Sequence, residues 1–297
     1  MASSDAFQVS SLKGKVALIT GASSGIGAGT SVLFAQLGAQ LALNGRDVEN
    51  LKKVAQKCAQ CGGAEPFLVP GDLTDEETVR KTVEQTLAHF GRLDVLVNSA
   101  GILAMGSIET SDLAQYDKVM NVNVRSVYYL TQLCVPHLIQ TRGSIVNVSS
   151  VNGQRSFPGV LAYCMSKSAI DQFTRCIALE LAPKQVRVNS VCPGVIITEV
   201  HRRAGLDDEQ YAKVRPTTSG LMAKRQTDGS ILSCSFWLAV RRRTRSAGPA
   251  RWRRWRRASR SSPRTPPVSS LGSTCRSMEV ATPCVHDEAE HVHSAGF

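Results

Sequence analysis

The chain has 297 residues, 42% of them hydrophobic and 20% charged, enough to bury a substantial core in one large domain or two small ones. No apolar run reaches the roughly 18 residues of a membrane span, Met1–Ser11 lacks the basic and apolar regions of a secretory signal, and nine irregularly spaced cysteines fit thiols in a reducing compartment better than a disulfide scaffold. The net charge of +11 is concentrated at one end: residues 1–213 carry 20 Lys and Arg against 19 Asp and Glu, and residues 214–297 carry 15 against 5. A boundary is therefore placed near Lys213, between a neutral globular segment and a basic, Ser- and Pro-rich tail.

Before that boundary, strand and helix patterns alternate. Lys15–Thr20 is a short apolar run ending at a glycine and reads as a buried strand. Ile26–Leu37 reads as a helix stopped by Gly38. There follow a strand at Leu41–Asn44, a helix at Val48–Gln60, a strand at Pro66–Val69 and a helix at Glu76–Phe90. A strand at Leu93–Asn98 leads to one long helix, Leu113–Ile139. A strand at Ser144–Ser149, a helix at Ala162–Leu181 and a strand at Val186–Val191 complete the series. Alternation of this kind predicts an α/β fold, a doubly wound parallel sheet of the Rossmann type covered by helices on both faces. Ligands of such sheets bind beyond the carboxyl ends of the strands, so the residues found there matter most.

After the first strand come Gly21, Ser23, Ser24, Gly25, Ile26 and Gly27. The glycines permit a tight turn and close approach to a pyrophosphate, which the following helix meets with free N–H groups and its positive dipole end. The second strand ends Asn44-Gly45-Arg46. An acidic residue for a ribose hydroxyl is replaced by Gly45, and Arg46 favours a 2′-phosphate, hence NADP(H), with NAD(H) as the alternative. At the third strand end, Asp72, followed by Leu73, either accepts from an adenine amino group or serves only the turn. The fourth ends Asn98-Ser99-Ala100-Gly101 and the fifth Ser149-Ser150. Tyr163 and Lys167 lie one helical turn apart and share a face. An ammonium beside a phenol lowers its pKa, so that the phenol can exchange a proton with a carbonyl or alcohol oxygen. Ser150 at the adjoining strand end can hold the same oxygen.

Together these motifs closely resemble the short-chain dehydrogenase/reductase family from about Leu12 to Lys213. The resemblance rests on T-G-A-S-S-G-I-G at 20–27, N-S-A-G at 98–101, N-V-N-V at 121–124, Ser150, Tyr163-x-x-x-Lys167, and Pro193-Gly194 followed by Thr198. Only Ser99 departs from the usual pattern, where a second asparagine is common. The resemblance implies a catalytic tetrad of Asn123, Ser150, Tyr163 and Lys167, with Tyr163 as acid/base. Lys167 would lower the Tyr163 pKa and hold the nicotinamide ribose. Ser150 would orient the substrate oxygen, and Asn123 would position a helix and a relay water. Asn98, Ala100 and Gly101 would border the cofactor, as would Pro193, Gly194, Ile196 and Thr198. The details look most like the 3-oxoacyl-carrier-protein-reductase-like branch, implying a small carbonyl or secondary alcohol substrate. The loop Val151–Val160 and the segment Glu199–Tyr211 would shape the substrate pocket, with Gln154, Phe157 and His201 as contacts. Cys58 and Cys61, spaced C-x-x-C on a surface helix without a second pair, read as plain thiols.

The family's usual ending is missing from the tail. In its place stand Arg241-Arg-Arg-Thr-Arg and Arg251-Trp-Arg-Arg-Trp-Arg-Arg257. Basic runs with interleaved aromatics could bind nucleic acid or an acidic membrane surface, making the chain a basic-tailed binding protein on a catalytically idle Rossmann scaffold, and Cys284, His286, His291 and His293 could suggest a metal. The genetic code offers a better account. Joining the third base of each codon to the first two of the next permits, from Ser235 onward, the complete missing ending in order, F-L-A-S-D and V-D-G-G included. Lys213–Arg215 can encode a splice donor and Ile231–Ser235 an acceptor. Residues 214–234 then read as a retained intron, or a gene-model error of the same extent, and 235–297 as the following exon out of frame. On this reading neither nucleic acid nor metal is a partner. The tail is expected to be disordered, and the sixth strand to be left as an unpaired apolar edge. The expected assembly is a homo-oligomer in the normally ended form, reduced here to contacts through the helices at 113–139 and 162–181. The expected compartment is the cytoplasm, with mitochondrion and peroxisome as alternatives.

Overall fold

Six short, mostly apolar and mostly buried strands form one parallel sheet in the order β3-β2-β1-β4-β5-β6. They are β1 (Val16–Ile19), β2 (Gln40–Leu43), β3 (Phe67–Leu68), β4 (Val95–Asn98), β5 (Ser144–Val148) and β6 (Arg187–Val191). The computed structural model describes residues 11–194, 196 and 200–204. The tail, its boundary near residue 213 and Thr198 lie outside these residues.

Alternation along each strand divides the core between the two faces. Ala17 and Ile19 of β1 pack with Phe34 of α1 (Gly25–Gln36) and with Leu51 and Val54 of α2 (Val48–Gln60). Val16 and Leu18 face the other way, toward Val79 and Val83 of α3 (Glu76–Phe90). Leu130 and Leu138 of α5 (Ser126–Thr141), and Leu181 of α6 (Leu161–Leu181), complete that second layer. Strands buried on both faces cannot show a polar alternation, which is why they read as continuous apolar runs.

Aspartates set the helix starts. Asp47, Asp75 and Asp112 each accept a backbone N–H three residues on, at the heads of α2, α3 and α4 (Leu113–Met120). At the opposite end of the sheet, buried Asp94 ties β1 to β4. It accepts from Lys15 Nζ and Val16 N, each at 3.0 Å, and from Arg92 Nε and Nη2 at 2.8 and 2.7 Å. Burial pushes its carboxyl up, but these donors outweigh burial and hold it below the usual carboxylate range.

Two sequence expectations need correction. The helix expected at Leu113–Ile139 is α4 and α5 joined by a π-helical turn, Asn121–Arg125. Within that turn Asn123 is turned inward, buried and bonded to the backbone of Ile102. Cys58 is not on a surface. It lies on the buried face of α2 with Leu51 and Val54, while Cys61 caps the helix and is exposed. Burial, with a smaller push from Cys61, raises the Cys58 thiol to about 11.

The strand order reverses between β1 and β4, which opens a crevice at their carboxyl ends. Among the described residues β6 ends the sheet, pairing with β5, and no helix is long and apolar enough to cross a membrane.

Candidate active site

The turn from β1 into α1 is built around two glycines that admit no side chain. Gly21 has φ +62, and a Cβ on it would lie 2.8 Å from Ala100 N. A Cβ on Gly27 would lie 2.3 Å from Gly21 O. Thr20 secures the turn to the end of β4, its Oγ1 accepting from the N–H groups of Ser99 and Ala100 at 3.0 and 3.1 Å. Ser24, the residue capping α1, makes no side-chain cap bond, and no acidic residue occupies the first turn. The first N–H groups of α1 thus face the crevice unneutralised, an arrangement suited to a phosphate group. Ile26 packs against the core behind them.

Beside this turn, the space over Gly45 is taken by Ser23, whose Oγ would lie 3.1 Å from a Cβ there. An acidic side chain would not fit without displacing it. Arg46 is exposed and pairs with Asp72 at 3.4 Å. Asp72 also accepts from Thr74 N and Oγ1 at 3.0 and 2.9 Å, so the turn role foreseen for it is real, while Leu73 is buried in the core. Asn98 is directed inward. Its Nδ2 donates to Thr131 Oγ1 at 3.1 Å and Asn147 Oδ1 at 2.8 Å, so a cofactor contact by this residue falls to its backbone. Gly101 keeps a gap open, since a Cβ on it would lie 3.3 Å from Asn123 Oδ1 and 3.7 Å from Lys167 Nζ.

The four residues of the expected tetrad converge on this gap and on the ends of β4 and β5. Asn123 accepts from Ile102 N at 2.8 Å and donates to Ile102 O at 2.9 Å and Ser166 Oγ at 3.0 Å, locking the exit of β4 to α6. Ser150 is extended and caps a 3₁₀ turn, Val151–Gly153. Its Oγ accepts from Asn152 N and donates to Asn152 Oδ1, both at 3.2 Å. Lys167 is buried, donates from Nζ to Val148 O at 2.9 Å and lies 5.5 Å from the Tyr163 ring centroid. Pro193 O accepts from Val151 N at 3.0 Å, tying the ends of β5 and β6 together with Gly194 just beyond. Ile196 is half-buried.

The electrostatics differ from the sequence expectation. Burial raises the Tyr163 phenol, a hydrogen bond with Ser150 pulls it back, and Cys164 pushes it up again, leaving it above its ordinary value. The Lys167 ammonium lies over the ring but spends a hydrogen bond on the Val148 carbonyl. The phenol is therefore held neutral through physiological pH. Burial lowers Lys167 itself to about 8, against an upward pull from Asp171 and Cys192.

Of the proposed substrate contacts, Phe157 is exposed, and Gln154 follows the 3₁₀ turn. His201 lies in a four-residue helix, Val200–Arg203, with its side chain outside the description. Sequence reasoning missed Ser166, whose hydroxyl bonds both Asn123 and Tyr163 O. It also missed Arg203, 3.3 Å from Ser24 Oγ, and Asp171, whose i+4 spacing from Lys167 was the available signal.

The short chain dehydrogenase family model matches residues 15–209. A 3-oxoacyl-acyl-carrier-protein reductase from Thermotoga maritima is 42% identical over 189 residues, 63% of this chain and 76% of the relative. The crystal structure of a short-chain dehydrogenase/reductase of unknown function from Caenorhabditis elegans, with cofactor, superposes with TM-score 0.69 at 32% identity, covering 78% of this chain and 90% of the other. A structure titled as a NAD(P)-dependent gluconate 5-dehydrogenase from Beutenbergia cavernae, with bound NADP, gives TM-score 0.63 at 35% identity over 69% of this chain and 81% of that one.

Proposed function

We propose that this chain, which belongs to the short-chain dehydrogenase/reductase family of oxidoreductases, is an NADP(H)-dependent ketoreductase acting on 3-oxoacyl or similar carbonyl compounds and on the corresponding secondary alcohols. The observation that carries the reading is the gathering of Asn123, Ser150, Tyr163 and the buried Lys167 around the ends of β4 and β5, with Lys167 Nζ 5.5 Å from the Tyr163 ring centroid and on Val148 O. The glycine turn, whose two close approaches a Cβ would fill, and the uncapped head of α1 fit a dinucleotide. Gly21, Ser23, Ser24, Gly25, Ile26 and Gly27 would hold its pyrophosphate, and Arg46 its 2′-phosphate. Asp72, Leu73, Asn98, Ala100, Gly101, Pro193, Gly194, Ile196 and Thr198 would border the rest.

Bound NADPH would supply the hydride. The protein supplies the proton and the alignment. Ser150 Oγ holds the carbonyl oxygen by hydrogen bond, and Tyr163 gives that oxygen its proton as negative charge develops there. The Lys167 ammonium opposes the charge left on the ring and would hold the nicotinamide ribose. Asn123, fixed to Ile102 and Ser166, keeps α5, α6 and the end of β4 in register. In the alcohol-oxidising direction the same hydroxyls act in reverse. The test is NADPH consumption by the full chain with a panel led by 3-oxoacyl thioesters; no turnover with any carbonyl would count against the reading.

Cofactor choice has its own test. Arg46→Ala removes the guanidinium proposed for the 2′-phosphate, so NADPH affinity should fall by about tenfold to a hundredfold, roughly 1.4–2.7 kcal/mol, while NADH affinity stays level. Parallel fluorescence titrations check this, and equal losses for both cofactors would refute the assignment.

Exposed Tyr128, Met165 and Leu179 on α5 and α6 support self-association through these helices. The end of the family match at residue 209 supports reading 1–213 as the catalytic domain and 214–297 as intron plus out-of-frame exon, which impairs this form relative to the normally ended one. Sequenced transcripts should include a shorter form lacking the codons of 214–234 and restoring F-L-A-S-D and V-D-G-G. Transcripts in which those codons are always present and in frame would refute this.

A further inference from the structure

The inner face of α6 carries two oppositely charged groups one turn apart, both withdrawn from solvent. Lys167 is 6% exposed and Asp171 2%. The reaction outlined above assigns Asp171 no task. Its Oδ1 accepts from Cys192 Sγ at 3.8 Å, and its buried Oδ2 has no hydrogen-bond partner among the described residues. The surroundings are nevertheless shaped to it. A Cβ on Gly153 would lie 2.5 Å from Oδ2 and 2.9 Å from Lys167 O, so only glycine lets the 3₁₀ turn close over the carboxylate. Ser149 Oγ, donating to Lys167 O at 3.3 Å, fixes the same stretch of α6 to the end of β5.

A buried carboxylate with an unpartnered oxygen is costly unless charge compensates it. The cations facing it are Lys167, one turn back, and Arg175, one turn on, whose Nη1 is bound to Gln172 at 2.8 Å. Lys167 in turn faces Asp171 on its own helix, Tyr163 one turn earlier, the Cys192 thiol beyond β6, and the neutral Val148 carbonyl and Asn123 amide.

We propose that Asp171 is a positioning residue whose buried carboxylate keeps Lys167 a cation directed at the end of β5 beneath Tyr163. This rests on the reading of Lys167 as part of a reductase site. Asp171 touches neither substrate nor cofactor, and it acts through Lys167 alone. Burial raises its own carboxyl and leaves it above the usual carboxylate value, against the smaller downward pull of Ser149, Arg175, Cys192 and Lys167.

The test reads the protonation of Lys167 directly. In the full chain, trace acetylation of Lys167 by acetic anhydride is followed by peptide mass spectrometry between roughly pH 6 and pH 10, a range spanning the lysine's shifted and ordinary values. The wild-type midpoint is expected near the value of about 8 that burial and these neighbours give it. Asp171→Asn keeps the shape and removes the charge, and it should lower the midpoint by at least about one pH unit. Asp171→Ser should do the same. The affinity for NADPH in each variant should then weaken at a correspondingly lower pH. An Asn or Ser variant that keeps the wild-type midpoint overturns the proposal. So does a wild-type midpoint below about 7, a result that needs no variant to fold. A chain that binds no NADPH at any pH would refute the reductase reading, while the labelling shift would still decide what Asp171 does.

Discussion

Tyr163→Phe should lower carbonyl reduction by about a thousandfold, on the order of 4 kcal/mol of barrier, while leaving NADPH affinity within about twofold of wild type. The substitution removes one oxygen. It costs the hydrogen bond with Ser150 but preserves the ring beneath which Lys167 lies. Ser150 keeps its bonds to Asn152, and Lys167 keeps Val148 O, so the site stays assembled. What disappears is the phenolic hydroxyl that the proposed reaction uses as its proton donor. Steady-state rates paired with fluorescence titration separate the two effects. A variant retaining a tenth or more of wild-type turnover would show that another group gives the proton; a variant losing cofactor binding as well would show that the ring itself is structural.

The second large effect is expected at Gly27. Gly27→Ala places a methyl group 2.3 Å from Gly21 O and 2.8 Å from Gly21 C, and both obstacles are backbone. Neither can swing aside as a side chain would, so the first turn of α1 must retreat from the glycine turn. Such overpacking costs about 1–3 kcal/mol of stability. The larger loss is functional: the N–H groups at the head of α1 would no longer converge on a phosphate position. NADPH affinity should fall by about a hundredfold, near 3 kcal/mol. Gly29→Ala is the matched control, because Gly29 is in the same helix with nothing within 4 Å of its added Cβ. It should bind NADPH normally and gain about 1 kcal/mol of helix stability. If both variants bind alike, the turn is not where the cofactor's phosphates lie.

These two predictions depend on features that differed in how plainly the sequence announced them. The strands were legible because their apolar runs are bounded by glycine, proline and polar turns. Two helices, α2 and α3, match their expected bounds to the residue, and the structure shows Asp47 and Asp75 capping them. Ser150, Tyr163 and Lys167 stood out in the sequence by their strand-end position and one-turn spacing, whereas Asn123 entered only through the family resemblance. The direction in which a side chain points was harder to read. Asn98 stands at a strand end but spends its amide on Thr131 and Asn147, residues 33 and 49 positions away. The π-helical turn at Asn121–Arg125 leaves no trace in hydrophobic periodicity, because it answers to a distant partner, the backbone of Ile102. The Tyr163–Lys167 pair shares a helical face as its spacing requires. Its electrostatics are nonetheless set first by burial, then by Ser150 and Cys164 for the phenol and by Asp171 and Cys192 for the ammonium, and spacing on one helix carries no information about burial.

Whether this chain uses NADPH at the assembled site is the central question, and one titration addresses it most directly. The purified 297-residue chain and its Tyr163→Phe variant are titrated with NADPH, and the nicotinamide fluorescence is followed. The account predicts saturable binding in both, of closely similar affinity, with turnover of added carbonyl compounds by the unsubstituted chain alone. Absence of binding in both would contradict it.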